Sequence, residues 1–362
     1  MIEVNNESVT LSLNSDQTYD LPFLWLRDNC QCDLCRISET EEKQFLLHTV
    51  PADIRPESVE VKENTIHIVW PDAHNSIIPI DKIIESKKQR YPNHKPWPKN
   101  FIPAKHDWKG FLDDNETAIK TLKDFVESGV IILENAPKKS NSLELLSKRF
   151  GPIHETLFER IHNVSVTGHV YNVAHTSKGL PPHNDFASYK YQPSVQALHM
   201  LENECEGGES VIVDGWELVN DLRNDHPDYF EILSNFKIPF REFDAENETY
   251  AEAPLIQCSN DGTIESFRFS NQLMQMIDPT RKGIKEFYKA YHEVSKRIFD
   301  EKYRSVFRLN GGEVLVVASL RVLHARESFV PNGKRHLQDA YFVYDNAANN
   351  IVLLSNKLKQ VN

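Results

Sequence analysis

Three cysteines fall within six positions of this chain, at Cys30, Cys32 and Cys35, and that cluster limits what the N-terminal part can become. Disulfide frameworks are not built from thiols this close together. They suit thiolates in a reducing compartment, with a metal ion as the leading explanation. Three thiolates and one imidazole would close a tetrahedral site, and His67 and His74 compete for the fourth position. Around the cluster, Ser8 to Leu13 alternates as a short strand. Ser58 to Trp70 (SVEVKENTIHIVW) reads as a hairpin turning at Glu63 and Asn64. Residues 1–90 are therefore expected to form a small β-rich domain, and a domain with so little core gains folding free energy from a bound metal. Cys205 and Cys258 stand apart and read as buried or incidental thiols.

Residues 91–108 (YPNHKPWPKNFIPAKHDW) hold four prolines and show no periodicity, as in a linker or a wrapping segment. Beyond it, helical patterns cover 115–128, 141–150, 217–234 and 280–302. Short strand-like runs lie at Val130–Leu133, Val195–Leu201, Ser210–Val213, Ser266–Phe269, Glu313–Ala318 and Asp339–Tyr344. Regular β/α alternation is missing, which excludes a doubly wound sheet. The expected class is α+β: a double-stranded β-helix, or jelly roll, with flanking helices over 109–362, preceded by the small metal-binding domain. The formal net charge of −12, without basic blocks, argues against nucleic acid and anionic membranes as partners. The N-terminus lacks the basic and apolar regions of a secretory signal, and no apolar run approaches the ~20 residues of a spanning helix. A cytoplasmic location is expected.

The segment GLPPHNDFA places His183 and Asp185 two residues apart, on the same side of an extended chain. Such a pair arises often in polar turns, and its weight comes from downstream. His324, in RVLHARESF, follows the apolar run EVLVVAS and lies 139 residues beyond Asp185. Two imidazoles and one carboxylate on one face of an octahedron leave three positions open, the pattern of non-haem Fe(II) oxygenases that use 2-oxoglutarate and O₂. Eleven residues past His324 stands Arg335, in GKRHLQDAYF. Its guanidinium could grip the distal carboxylate of 2-oxoglutarate through two parallel hydrogen bonds.

The chain also resembles the γ-butyrobetaine and trimethyllysine dioxygenases of the taurine-dioxygenase-like group. The resemblance rests on WLRDNCQCDLC (25–35), VWPDAH (69–74), NVAHTSKGLPPHND (172–185), VQALHML (195–201), GGESVIVDGW (207–216), RVLHARESF (321–329) and RHLQDAY (335–341). It implies that His183, Asp185 and His324 hold Fe(II), that Arg335 anchors 2-oxoglutarate and that Asn172 adds a further co-substrate contact. It selects His74 to complete a structural Zn(II) site with Cys30, Cys32 and Cys35. It also implies a homodimer formed through the N-terminal domain, and ascorbate as a supporting reductant. In the family a cage of Tyr and Trp holds a trimethylammonium head by cation–π attraction. The matching positions here are Phe158, His162, His175, Phe186 and Tyr341, and only Tyr341 keeps its identity. Asn271 stands where relatives carry a substrate-side Asn. The substrate class therefore spans trimethylammonium compounds, other amino acids, and zwitterions bearing a carboxylate or phosphonate.

The expected reaction is hydroxylation of an unactivated C–H bond with release of succinate and CO₂. Desaturation or cyclisation by the same iron site is the alternative within the enzyme class. Outside it stand a non-catalytic jelly-roll binding module and a zinc-centred interaction protein.

Overall fold

The computed structural model describes all residues except 15, 158, 166–173, 175 and 362. Residues Met1–Arg90 and Tyr91–Asn362 form two compact units.

The first unit holds two three-stranded antiparallel sheets. One is Ile2–Val4, Ser8–Asn14 and Gln17–Pro22, in that order. The other is Ser58–Lys62, Thr65–Val69 and Asn75–Pro79. The expected hairpin turns at Glu63, whose φ of 53° is left-handed. Alternation sends Val9 and Leu11 of one sheet and Ile66 and Ile68 of the other into a core with Leu26 and Trp70. The short helix Phe23–Asp28 packs into that core and delivers the chain to Cys30.

In the second unit six strands form the larger sheet: Ala104–Asp107, Val130–Glu134, Glu313–Ala318, Val195–Asn203, Arg335–Phe342 and His162–Ser165, in spatial order. Only the first pair is parallel. Leu180–His183, Val322–Arg326, Ser210–Asp214 and Arg304–Phe307 make a four-stranded antiparallel sheet. Side chains on alternate positions separate two cores. Val130, Ile132, Leu315, Val317 and Leu337 meet Ile212 and Val322 of the smaller sheet. Ile131, Leu133, Val314, Val316, Ala340 and Phe342 turn the other way, onto the helices Asn115–Ser128 and Tyr344–Val361. Burial on both faces explains why these strands read as unbroken apolar runs. The outer face of the smaller sheet (Val213, Leu323) is covered by Gly215–Asp225, Pro227–Asn235 and Ile284–Arg297. Two facing, mainly antiparallel sheets flanked by helices are the expected double-stranded β-helix.

Helix Asn115–Ser128 follows its sequence signals closely. Asp114 caps it by accepting the Thr117 N–H at 2.7 Å, and Gly129 ends it at a φ of 78°. The helical pattern at 217–234 is instead two helices, because Pro227 cannot donate to the first and starts the second. Among the described residues no helix is long and apolar enough to cross a membrane.

Of the two expectations for 91–108, linker or wrapping segment, the structure shows the second. Ala104–Asp107 is an edge strand of the larger sheet, and Trp108 opens the helix Trp108–Asp113. Trp97 is 9% exposed, stacks on Phe101 at 4.4 Å and donates its indole N–H to the Ser128 carbonyl at 2.7 Å. Prolines supply the extended backbone and the aromatic rings supply the attachment, so the segment wraps the second unit and belongs to it. Trp97→Ala should therefore cost about 3–5 kcal/mol, as buried aromatic truncations do. Denaturant unfolding of the full chain measures this, and a free linker would show no change.

Candidate active site

Four potential metal donors converge in the first unit: Cys30, Cys32, Cys35 and His74. The Nε2 of His74 lies 3.4, 3.7 and 3.4 Å from the sulfurs of Cys30, Cys32 and Cys35. A tetrahedral zinc ion with ordinary Zn–S and Zn–N bonds sets such donors about 3.6 Å apart. The WPDAH turn aims the imidazole. Asp72 accepts the His74 N–H at 3.1 Å, and Ala73 takes a left-handed φ of 61°. Asp72 also pairs with buried Arg27 at 3.3 Å. Burial and the charge of Cys30 push the Cys35 thiol up to about 12. A bound dication would favour the Cys35 thiolate that burial opposes. All four donors are protein groups, so the site is closed and structural.

The second constellation lies between the sheets of the other unit. His183 ends its strand directly opposite His324, and their ring centroids are 4.3 Å apart. Asp185 Oδ1 stands 3.1 Å from His183 Nε2 and 3.9 Å from His324 Nε2. Cis ligands of an octahedral ion with bonds of about 2.1 Å are about 3 Å apart. Asn184, between the two ligands, faces the opposite way. It donates to Ser319 O at 2.6 Å and accepts from Phe269 N at 2.6 Å, which locks the turn. His183 Nδ1 donates to the Pro181 carbonyl at 2.9 Å, leaving the Nε2 lone pair for a metal.

Electrostatics suit a cation here. Burial and the adjacent His183 push His324 down to about 4, so it is neutral. Burial alone would raise Asp185, but the two imidazoles and the Tyr341 hydroxyl outweigh it and hold the carboxyl below its ordinary range. Gln196 Nε2 and the Tyr341 hydroxyl bond to Asp185 Oδ2 at 2.6 and 2.7 Å. That leaves Oδ1 to face the imidazoles. Asp339 Oδ2 takes the same two donors at 3.0 and 2.6 Å, and burial, opposed by His162 and helped by Asp185, pushes Asp339 up to about 6.

The triad opens into a cavity of ≈ 470 Å³, within the usual size for a small-molecule site. Arg335, Leu337, Asp339 and Tyr341, every second residue of one strand, line it. Arg335 makes no ion pair among the described residues, its Nε has no partner, and burial lowers its pKa. A buried guanidinium without an anion is costly, and the distal carboxylate of 2-oxoglutarate fits that need. Arg326 lines the cavity beside it and donates to the carbonyls of Ala174, Thr176 and Lys178 at 3.0, 2.7 and 2.6 Å.

The other expected site residues divide. His162 lines the cavity, with Nδ1 3.9 Å from Asp339 Oδ1. Phe186 is buried against it at a left-handed φ of 52°, edge-on to Tyr341 at 5.0 Å. Phe158, Asn172 and His175 lie outside the described residues. Asn271 corrects the substrate-side expectation: it is exposed, accepts from Tyr291 at 3.2 Å and does not line the cavity. Its neighbours Ser270, Gln272 and Leu273 do, and Asn271 begins the turn that leaves its own side chain exposed. Gln196, Asp339, Arg326 and Glu242 were not expected. For Gln196 the signal was a polar residue in the apolar run VQALHML; Asp339 and Arg326 stand among other polar residues of their strands and carry no such signal.

Residues 93–341 match the family described as taurine catabolism dioxygenase TauD, TfdA family. Residues 2–78 match the gamma-butyrobetaine hydroxylase-like N-terminal family. The chain is 28% identical to gamma-butyrobetaine dioxygenase of Pseudomonas sp. (strain AK-1) over 347 residues, 92% of this chain and 90% of the relative. It is 26% identical to mitochondrial trimethyllysine dioxygenase of Mus musculus, covering 92% of this chain and 82% of that one. The crystal structure of a taurine dioxygenase from Burkholderia xenovorans superposes with a TM-score of 0.52 at 14% identity, over 70% of this chain and 91% of its own, and supports the fold.

Two outcomes follow. Gln196→Ala should weaken metal binding at the second site about 10–100-fold, as loss of a group orienting a ligand does; a metal titration monitored by calorimetry reads this. Cys35→Ser should abolish stoichiometric zinc and unfold the first unit, seen as lost near-UV dichroism and lost zinc by mass spectrometry.

Proposed function

This chain belongs to the TauD, TfdA dioxygenase family, and on that premise we propose that it hydroxylates an unactivated C–H bond of a small zwitterion carrying a cationic nitrogen. It is an Fe(II)- and 2-oxoglutarate-dependent dioxygenase with a Cys₃His zinc site. The substrate class is supported by relatives named for γ-butyrobetaine and trimethyllysine. One observation carries the reading: His183, Asp185 and His324 converge on a cavity that also holds the unpaired Arg335.

Bound together, Fe(II) and 2-oxoglutarate supply an oxidant able to take a hydrogen atom from an unactivated C–H bond, with succinate and CO₂ as by-products. The protein's part is placement and polarity. His183 and His324 would each offer an Nε2 and Asp185 one oxygen to the iron, a three-donor set that would leave room for co-substrate and O₂. Gln196 and Tyr341 fix which oxygen of Asp185 faces the metal. Arg335 receives the distal carboxylate of the co-substrate, while Leu198, Leu309, Leu315 and Leu337 line the cavity and keep water from its chain. Arg326 ties down the carbonyls of Ala174, Thr176 and Lys178 beside the cavity. Asp185 occupies the position that a halide would need, which favours hydroxylation over halogenation.

Exposed Leu34, Ile37, Leu46 and Leu47 on the first unit support a homodimer assembled there. Thiols arranged for a metal support a cytoplasmic, reducing location.

With Fe(II), 2-oxoglutarate and O₂, the enzyme should release succinate, accelerated by the right member of a panel of betaines, amino acids and aminophosphonates. Mass spectrometry would find the product 16 Da heavier. His183→Ala should lose both iron and succinate formation. Arg335→Ala should raise the 2-oxoglutarate KM about 10–100-fold, the loss of a charged hydrogen-bonded anchor. Normal turnover by iron-free His183→Ala would refute the assignment.

A further inference from the structure

The cavity has a second wall, built from elements other than the strand that carries Arg335. Strand Ile238–Phe243 pairs on one side with Glu248–Ala253. On its other side Arg241 N donates to Leu273 O at 2.9 Å and Gln275 N to Pro239 O at 2.8 Å. With Ser270 and Gln272 this makes a largely polar wall.

The charges of that wall are unequally matched. Arg241 is spent on Glu248 through two bonds of 2.9 and 3.1 Å, and its guanidinium lies 4.2 Å over the Phe243 ring. Glu242 has no such partner. Its Oε2 is buried and, among the described residues, accepts no hydrogen bond. A buried acceptor left without a donor is destabilising. Burial, with the charge of Asp185, pushes Glu242 up to about 7. The other cavity carboxylates are committed. Asp185 takes two donors on one oxygen and faces two imidazoles with the other. Asp339 takes Gln196 and Tyr341 on Oδ2, and its Oδ1, which accepts no hydrogen bond, faces His162 at 3.9 Å, so of the three only Glu242 has neither an ion pair nor a hydrogen bond among the described residues. Glu242 is the carboxylate left for a ligand.

Resting on the oxygenase reading above, we propose that Glu242 accepts N–H hydrogen bonds from the cationic nitrogen of the substrate, so that primary and secondary ammonium zwitterions are preferred to quaternary ones. A trimethylammonium head has no N–H to give and would leave Oε2 unpaired. Sites that hold such heads use open aromatic faces. Of the aromatic rings described in the lining, Phe243 lies under the Arg241 guanidinium, and Phe186 and Tyr341 are packed edge-on to each other at 5.0 Å. Sites built to hydrogen-bond a substrate group reject analogues lacking it far more strongly than apolar pockets reject a missing methylene.

The test uses two series of fixed carbon skeleton: 4-aminobutyrate with its N-methyl, N,N-dimethyl and N,N,N-trimethyl forms, and lysine with Nε-trimethyllysine. Wild type and Glu242→Gln, each with Fe(II) and 2-oxoglutarate, are compared by anaerobic calorimetry and by substrate-driven 2-oxoglutarate consumption in air. Wild type should bind an N–H-bearing member at least tenfold more tightly than its trimethyl counterpart. The isosteric Glu242→Gln variant should weaken that member tenfold or more and shrink the difference. The inference is overturned if wild type binds the trimethyl members as tightly or more tightly, if the order survives in Glu242→Gln, or if no N–H-bearing member binds. The wild-type methylation series decides the matter even if the variant fails to fold. Wild type that neither binds nor consumes 2-oxoglutarate in any mixture would instead sink the oxygenase reading.

Discussion

The second unit is organised around one cross-strand pair, His183 opposite His324, on adjacent antiparallel strands of the smaller sheet. Directly opposed residues lie about 4.5–5.5 Å apart at Cβ, so two imidazoles on one face inevitably meet. What they meet over is decided by the Asn184 side chain, which is pulled into the protein and throws Asp185 back toward the rings. A metal site between two sheets thus costs the fold a single turn. The sheets themselves are held elsewhere, by apolar layers that continue unbroken beside the polar cavity.

That cavity concentrates charge in a place where charge is costly. The solution is a graded set of pairings. Asp185 is met by two imidazoles, a phenol and an amide. Asp339 shares the phenol and amide, and a hydroxyl with one proton cannot donate to both carboxylates at once. Arg326 is met by backbone carbonyls, which moderate a guanidinium without neutralising it, and burial beside Arg335 brings it down to about 10. Arg335 and Glu242 are the charged cavity residues for which neither an ion pair nor a hydrogen bond is found among the described residues. A dipolar cavity with one unmet cation and one unmet anion is shaped for a diacid and an ammonium.

The two metal constellations show how donor number decides chemistry. The first uses four donors, three of them soft thiols, and has no position left. The second uses three hard or borderline donors and leaves room for exogenous ligands. The same residue type serves differently in each. His74 is aimed by a turn and an aspartate, whereas His183 is aimed by a carbonyl bond that fixes its tautomer.

Much was legible from the chain alone, because it depends on residue type and short spacing. The Cys-x-Cys-x-x-Cys cluster, His183-x-Asp185 with a distant His324, the Asp114 cap with Gly129, and the apolar run at 313–318 all carry their meaning locally. The strands bearing His183 and His324 were less visible, since their inward faces are polar and blur the alternation that marks a half-buried strand. The prolines of 91–108 left linker and wrapping segment equally open, and hid the edge strand Ala104–Asp107. Only the tertiary structure decided that Gln196, 145 residues from Tyr341, lies opposite it and shares its hydrogen bonds. It also turned Asn271 outward and left Glu242 without a donor. The placing of Gln196 and Glu242 depends on which strands pair and in what register, and a one-residue slip would move both side chains to the other face.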